Sequence, residues 1–274
     1  MIMRRIGELF GRGRPVWKAR VVGHGPRMAR HYITKSRQGG RCEQLDGVVA
    51  FEHVTWRDVD LSGLVFDYFG AMGSTFERCD FTRTEFRSGG LGHDGSRYVD
   101  CLFDRSDLRH VFPLGATFER CRFDRARLEG WRPDKASFIE CTFVGPIRNV
   151  MFYGAEVMPD LPGRGRNAFR GNDFRQATIT DSSFGAGIDI GANTMPEGDE
   201  YVILDRWPER AALGLAELRS RPKSSERDEM IIWLEIMATG VYAEQQILFA
   251  RRVEPGMVPA TIQNAVWDLV ADVL

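Results

Sequence analysis

The sequence predicts a mainly β chain: a quadrilateral β-helix followed by a C-terminal α-helical unit. Three observations predict it. Apolar residues step through the middle of the chain in fives, the same residues recur every 20 positions, and the spacing turns helical near residue 205.

Large apolar residues fall at Phe51, Trp56, Leu61 and Phe66, then at Phe76, Phe81, Phe86 and Leu91. They resume at Tyr98, Phe103 and Leu108, at Phe118, Phe123 and Leu128, and at Phe138 and Phe143. A third stretch holds Phe169, Phe174, Ile179 and Phe184. Two positions before most of them stands a small or β-branched residue, such as Val54, Ser74, Thr84, Ala116 or Ala136. A helix would repeat every 3.6 residues and a strand every second one. A step of five suits a chain that turns a corner every fifth residue, with two side chains inward and three outward.

Four such sides make one coil. Cys101, Cys121 and Cys141 lie 20 residues apart, as do Phe103, Phe123 and Phe143. Each set stacks as a ladder on one side, and backbone amides pair between coils about 4.8 Å apart. The inward rings fill the axis, so no pocket is expected inside.

Segments such as TFERCDF (75–81), TFERCRF (117–123) and CLFDRSDL (101–108) resemble the pentapeptide-repeat family over roughly residues 51–184. The resemblance implies a right-handed quadrilateral β-helix. Pro113 and Pro133 at central positions, and the stretch around 145–168, depart from the pattern. The best understood members resemble B-form DNA, bind DNA gyrase or topoisomerase IV, protect against fluoroquinolones, and dimerise through a C-terminal segment. The resemblance therefore implies a type II topoisomerase as one partner to consider.

Domains are expected at 1–45, a basic arm or cap, at 46–190, the β-helix, and at 200–274, the helical unit. Lys and Arg outnumber Asp and Glu 11 to 3 over residues 1–50. Arg4, Arg5, Arg12, Arg14, Lys18 and Arg20 suit an acidic partner or nucleic acid. Two interruptions read as projecting loops. One is GHDGSR (92–97), with His93, Asp94 and Arg97; the other is MPDLPGRGRN (158–167), with Arg164 and Arg166. Such loops are candidate partner contacts. The side around Pro113, Pro133 and Tyr153 places Phe112, Leu114 and Phe152 at nominally outward positions, a candidate apolar interface. The C-terminal helices or the N-terminal arm could cover it, as could a partner or a second copy.

Beyond residue 205, Pro208 marks a helix start. Ser225 and Asp228 have capping-box-like spacing. Met230, Trp233, Leu234, Met237, Val241 and Leu248 read as one helical face. Ile262, Val266, Leu269, Val270 and Val273 form another. The unit is expected to cap the solenoid or to join a homodimer.

Chemistry is sparse. No pair of the five His has the spacing of a metal motif, and the five Cys form no CxxC. Phosphate-binding, dinucleotide and nucleophile-elbow motifs do not occur. No cofactor is expected. Without an apolar run long enough for a membrane span, and with an odd cysteine count, a cytoplasmic protein is expected. The leading reading is a non-enzymatic protein-binding scaffold.

The alternative is topoisomerase protection by DNA mimicry, and charge bears on it. About six coils make a rod of about 29 Å, and duplex DNA of that length carries about 17 charges. Residues 51–190 hold 18 Lys/Arg against 21 Asp/Glu, far from that density. Asp60 and Asp80 share an outward column that Leu102 and Arg122 continue.

Overall fold

The computed structural model describes residues 29–133, 135–154 and 166–274. A stack of coils turns through four faces. Face A centres on Phe51, face B on Trp56, face C on Leu61 and face D on Phe66. All strand pairing within the stack is parallel and joins one coil to the next. Face B is a sheet of seven strands. Its register pairs Phe76 with Tyr98, Tyr98 with Phe118, and Phe118 with Phe138. On face C the rings of Phe81, Phe103, Phe123, Phe143 and Phe174 stack in sequence, with successive centroids 4.9, 5.1, 4.8 and 4.6 Å apart. Burial of each ring contributes roughly 1.5–3 kcal/mol. The expected filled axis is thereby formed.

The corners explain why polar residues can occupy them. At the corner after face B, Asp58, Arg78, Asp100, Arg120 and Glu140 all take left-handed backbone, with φ from 50° to 56°. Their amides bond carbonyls of the next coil, as Arg78 N does to Val99 O at 2.8 Å. Such residues bear a modest conformational cost that the coil-to-coil bond offsets.

The thiol ladder has a hydrogen-bonding role. Cys79, Cys101, Cys121 and Cys141 are buried and free. Each Sγ–H donates to a carbonyl one coil below: Trp56 O, Phe76 O, Tyr98 O and Phe118 O, at 3.3–3.4 Å. Thr84 and Ser74 do the same with their hydroxyls. Burial pushes the Cys121 thiol well above its ordinary range.

Four differences from the sequence reading have physical causes. The solenoid begins before residue 46. Arg30–Ile33 pairs with face A and Arg37–Gln38 with face B, so residues 30–45 form a first coil rather than an arm. Its polar residues still cover the core: the Arg37 guanidinium lies 5.5 Å over the Trp56 ring, whose Nε1 donates to Lys35 O. Residues 1–28, with the basic positions Arg4 to Arg20, lie outside the described residues.

Phe152 is the second difference. It is 1% exposed and pairs with Phe184, not outward but at a central position. Thr142 aligns with Asp173, yet Ile147 aligns with Ile179 and Phe152 with Phe184. The lower coil is therefore one residue short between Phe143 and Ile147. Against the upper coil the register shifts between Thr142 and Val144, and the phase of everything after it moves by one.

Third, 92–97 is barely a loop. Strand Gly89–His93 runs to a two-residue turn at Asp94 and Gly95, and Arg97–Val99 follows at once. Fourth, the helix holding Trp233 is shorter than its apolar spacing suggests. Helix α1 spans Trp207–Ser220, α2 Ser225–Ala238 and α3 Ala260–Asp272. Ser224, not Ser225, caps α2 by accepting from Arg227 N. Gly240, at φ 61°, follows its end. Val241 then lies in a short 3₁₀ turn, and Leu248 belongs to a strand, Leu248–Arg251, antiparallel to Tyr201–Leu204.

That hairpin joins the two halves. Phe249 meets Phe184 edge-on at 5.5 Å and stacks with Tyr201. Ile179 N donates to the Tyr201 hydroxyl, Asp181 N to Glu254, and Gln245 to Ile188 O. Behind it, Trp207, Trp233 and Trp267 centre the helical core. Buried Arg210 donates to Val270 O and Ala271 O at the end of α3, where a cation is favoured. The C-terminal unit thus caps the last coil.

Candidate interaction surface

The outer surface divides by charge. Faces B, C and D carry ion pairs that join neighbouring coils. Arg57 meets Glu77 at 2.6 Å, Arg78 meets Asp58 at 2.7 Å, Arg87 meets Asp67 at 2.9 Å and Arg120 meets Asp100 at 2.7 Å. The hydrogen bond from Arg78 holds the Asp58 carboxyl below its usual range. These pairs are exposed, so each adds little stability. They do cancel charge along the rod. The column Arg41, Asp60, Asp80, Leu102, Arg122 is in register, as expected, and it mixes both signs with an apolar residue.

Face A differs. Its outward-facing column runs Ala50, Gly70, Gly90, Phe112. The first three are small, and neighbouring side chains cover them. A Cβ added at Gly90 would lie 2.7 Å from His93 Nε2 and 2.8 Å from Leu114 Cδ1, so those two side chains close over it. Tyr68 packs beside Gly70, and Met72 flanks the strip. Phe112 is 48% exposed and Tyr68 37% exposed.

The large residue on this face also moves to the other inward position. Phe69 and Trp131 fill the site two before the centre, leaving Ala71, Pro113 and Pro133 at the centre. Trp131 Nε1 donates to Val111 O at 2.9 Å. The two prolines are tolerated because a short side chain is all that remains to be placed.

Four faces, five residues per face and stacked central rings define a repeat architecture completely. The chain is a pentapeptide-repeat β-helix. No family model and no curated protein matches it. Among solved structures, this pentapeptide-repeat chain is similar to QnrB1, a plasmid-mediated fluoroquinolone resistance protein. A trypsin-treated variant matches at 15% identity and TM-score 0.31, over 60% of this chain and 90% of that one. The full-length form matches at 18% identity and TM-score 0.22, over 61% and 92%. HetL, a pentapeptide repeat protein involved in heterocyst differentiation regulation from the cyanobacterium Nostoc sp., matches at 12% identity and TM-score 0.23, over 60% and 81%. Likenesses at this level concern the fold alone.

On this pentapeptide-repeat rod the candidate residues separate into groups. His93, Phe112 and Leu114 come together on face A. Asp94 turns the corner, and Arg97 lies on face B, paired with Glu119 at 3.0 Å. Arg166 sits near the capped end, 3.4 Å from Glu244, while Arg164 lies outside the described residues. Phe152 is core. Tyr68, Met72 and the Ala50–Gly70–Gly90 column escaped the sequence reading, although those three small residues are 20 apart.

One groove of about 1100 Å³ opens between α1, α2 and α3, lined by Leu213, Met230 and Leu269 among others. Of its four carboxylates, Glu217 and Asp268 are held by Arg221 and Arg252. Among the described residues no helix is long and apolar enough to cross a membrane, and no group of three or more His, Cys, Asp or Glu could hold a metal.

Proposed function

We propose that this protein is a non-enzymatic scaffold that binds a protein partner on face A. The strip formed by Tyr68, Gly70, Met72, Gly90, Phe112 and Leu114 carries the reading. It offers the exposed aromatic surface of Tyr68 and Phe112 around a column of small residues that raises no side chain between them. The solid core supports a binding role over catalysis, because the axis is filled by rings and leaves no cleft there. The alternating outer charges weigh against an acidic, DNA-like surface.

The test is affinity capture from the native host with the wild type and with a Gly70→Asp/Phe112→Asp variant. At Gly70 an added Cβ meets nothing closer than 3.5 Å, so there is room for a side chain to leave the face. One protein lost selectively from the variant is the expected result. Equal recovery by both would rule out face A. Two further measurements separate the competing partners. An effect on gyrase supercoiling, with or without a quinolone, that survives both substitutions would favour topoisomerase protection. A dimer by size exclusion that persists in the variant would direct attention to the C-terminal helices as its interface.

A further inference from the structure

Two corners of the rod obey different charge rules. At the corner after face B the sequence alternates Asp58, Arg78, Asp100, Arg120, Glu140, and successive coils pair opposite charges. At the corner after face C the same position reads Arg83, Arg105, Arg125, with φ of 59°, 55° and 52°. Their amides bond Asp104 O, Asp124 O and Val144 O of the next coil, which fixes them as one column. The Phe81, Phe103 and Phe123 rings just inside are 4.9 and 5.1 Å apart, so the three guanidinium stems rise at that spacing.

Like charges stacked on adjacent rungs repel, and the nearby carboxylates do not relieve them. Asp104 is taken by Arg122, Asp107 by Arg109 and Arg127, and Glu85 by Arg87. Arg83 and Arg105 make no ion pair among the described residues, and Arg125 comes no closer than 3.8 Å to Asp124. All three are exposed.

We propose that the Arg83–Arg105–Arg125 column is a docking edge for the phosphodiester backbone of a nucleic acid. A guanidinium presents a planar fork that suits phosphate oxygens. The surroundings favour nucleic acid over an acidic protein. The edge's flanking residues are Thr82, Asp124, and the carboxylates Asp104, Glu85 and Asp107 already paired with other arginines, and it lacks the apolar centre that a protein interface needs. Its amides are already spent between coils, so an added peptide strand finds no donors. No aromatic side chain stands there to stack a base, so the contact is independent of sequence. This edge belongs to faces C and D and is separate from the apolar strip.

The experiment measures binding of the full-length chain to a short fluorescein-labelled DNA duplex by anisotropy, between about 50 and about 200 mM salt. Three proteins are compared: wild type, the variant Arg83→Gln/Arg105→Gln/Arg125→Gln, and a charge-matched variant Arg57→Gln/Arg97→Gln/Arg120→Gln. Each phosphate contact steepens the plot of log affinity against log salt by about 0.9. The first variant is expected to flatten it by about 2–3, and the second to leave it near wild type. Equal losses in both variants, or unchanged binding in both, would overturn the proposal; the latter would assign binding to residues 1–28. No binding by the wild type at low salt would also overturn it, as would competition by polyglutamate as strong as by unlabelled DNA.

Discussion

The side-chain oxygen of Asn172 accepts a hydrogen bond from the backbone amide of Cys141 at 2.9 Å. Asn172 stands one coil above, where a fifth thiol would continue the ladder. Its amide group donates to Phe138 O at 3.0 Å, the bond that Sγ–H supplies in the coils below. Asn193 repeats the arrangement one coil further on, bonding both Asn172 and Phe169 O. The column thus passes from sulfur to amide without losing its donor.

Replacing Asn172 by Ala should lower stability by about 1–3 kcal/mol, because a buried amide and carbonyl lose their partners. Asn172→Ser should lose less, since its hydroxyl can serve the same two groups as Ser74 does below. Urea denaturation of both variants measures the difference.

Trp131 fills the inward position that Pro133 leaves empty and is 1% exposed. Trp131→Ala should cost about 3–5 kcal/mol through the cavity it opens. Phe112→Ala, on the same face but exposed, should stay within about 0.5 kcal/mol of wild type. Thermal unfolding of the pair separates packing on face A from its outer surface.

Glu254 links the cap to the last coil by accepting from Asp181 N at 3.0 Å. Burial raises its carboxyl from the ordinary 4.5 to about 7. The unfolded chain therefore releases this proton first, and the folded form loses stability as pH rises through that window. Glu254→Gln keeps an acceptor and removes the charge. It should be more stable than wild type at about pH 8 and no different at about pH 4. Melting curves across that range would refute this if the two proteins stay parallel.

The five free thiols are all buried. The four in the ladder should react with Ellman's reagent only as the chain unfolds, and at one common rate under mild urea, since the ladder opens as one core. Rapid labelling of a single site under native conditions would contradict a closed ladder.

The step of five made the solenoid legible because two of every five residues point inward and must be apolar or small. Legibility failed where that inference weakens. Residues 30–45 supply polar side chains to the first coil, so no apolar period announced them. The residue missing between Phe143 and Ile147 moved Phe152 from surface to core, and only its pairing with Phe184 reveals the shift. Phe69 and Trp131 exchange places with the central residue, which a search for large centres overlooks. Leu248 fits the helical stripe of Trp233 and Met237, yet its partner is Leu204 across a hairpin, a contact that local spacing does not encode. On the outer surface, His93 and Leu114 come from different segments, and only the stacking of coils places both over Gly90.

The antiparallel hairpin at Tyr201–Leu204 and Leu248–Arg251 has a consequence for life in a crowded cell. Every other strand pairing among the described residues is parallel, and a parallel edge is a template that another molecule's coil can extend, the growth step of a fibril. At the final coil Tyr201, Phe249 and the 3₁₀ turn at Gly240–Tyr242 occupy that template. Elongation from this end is blocked.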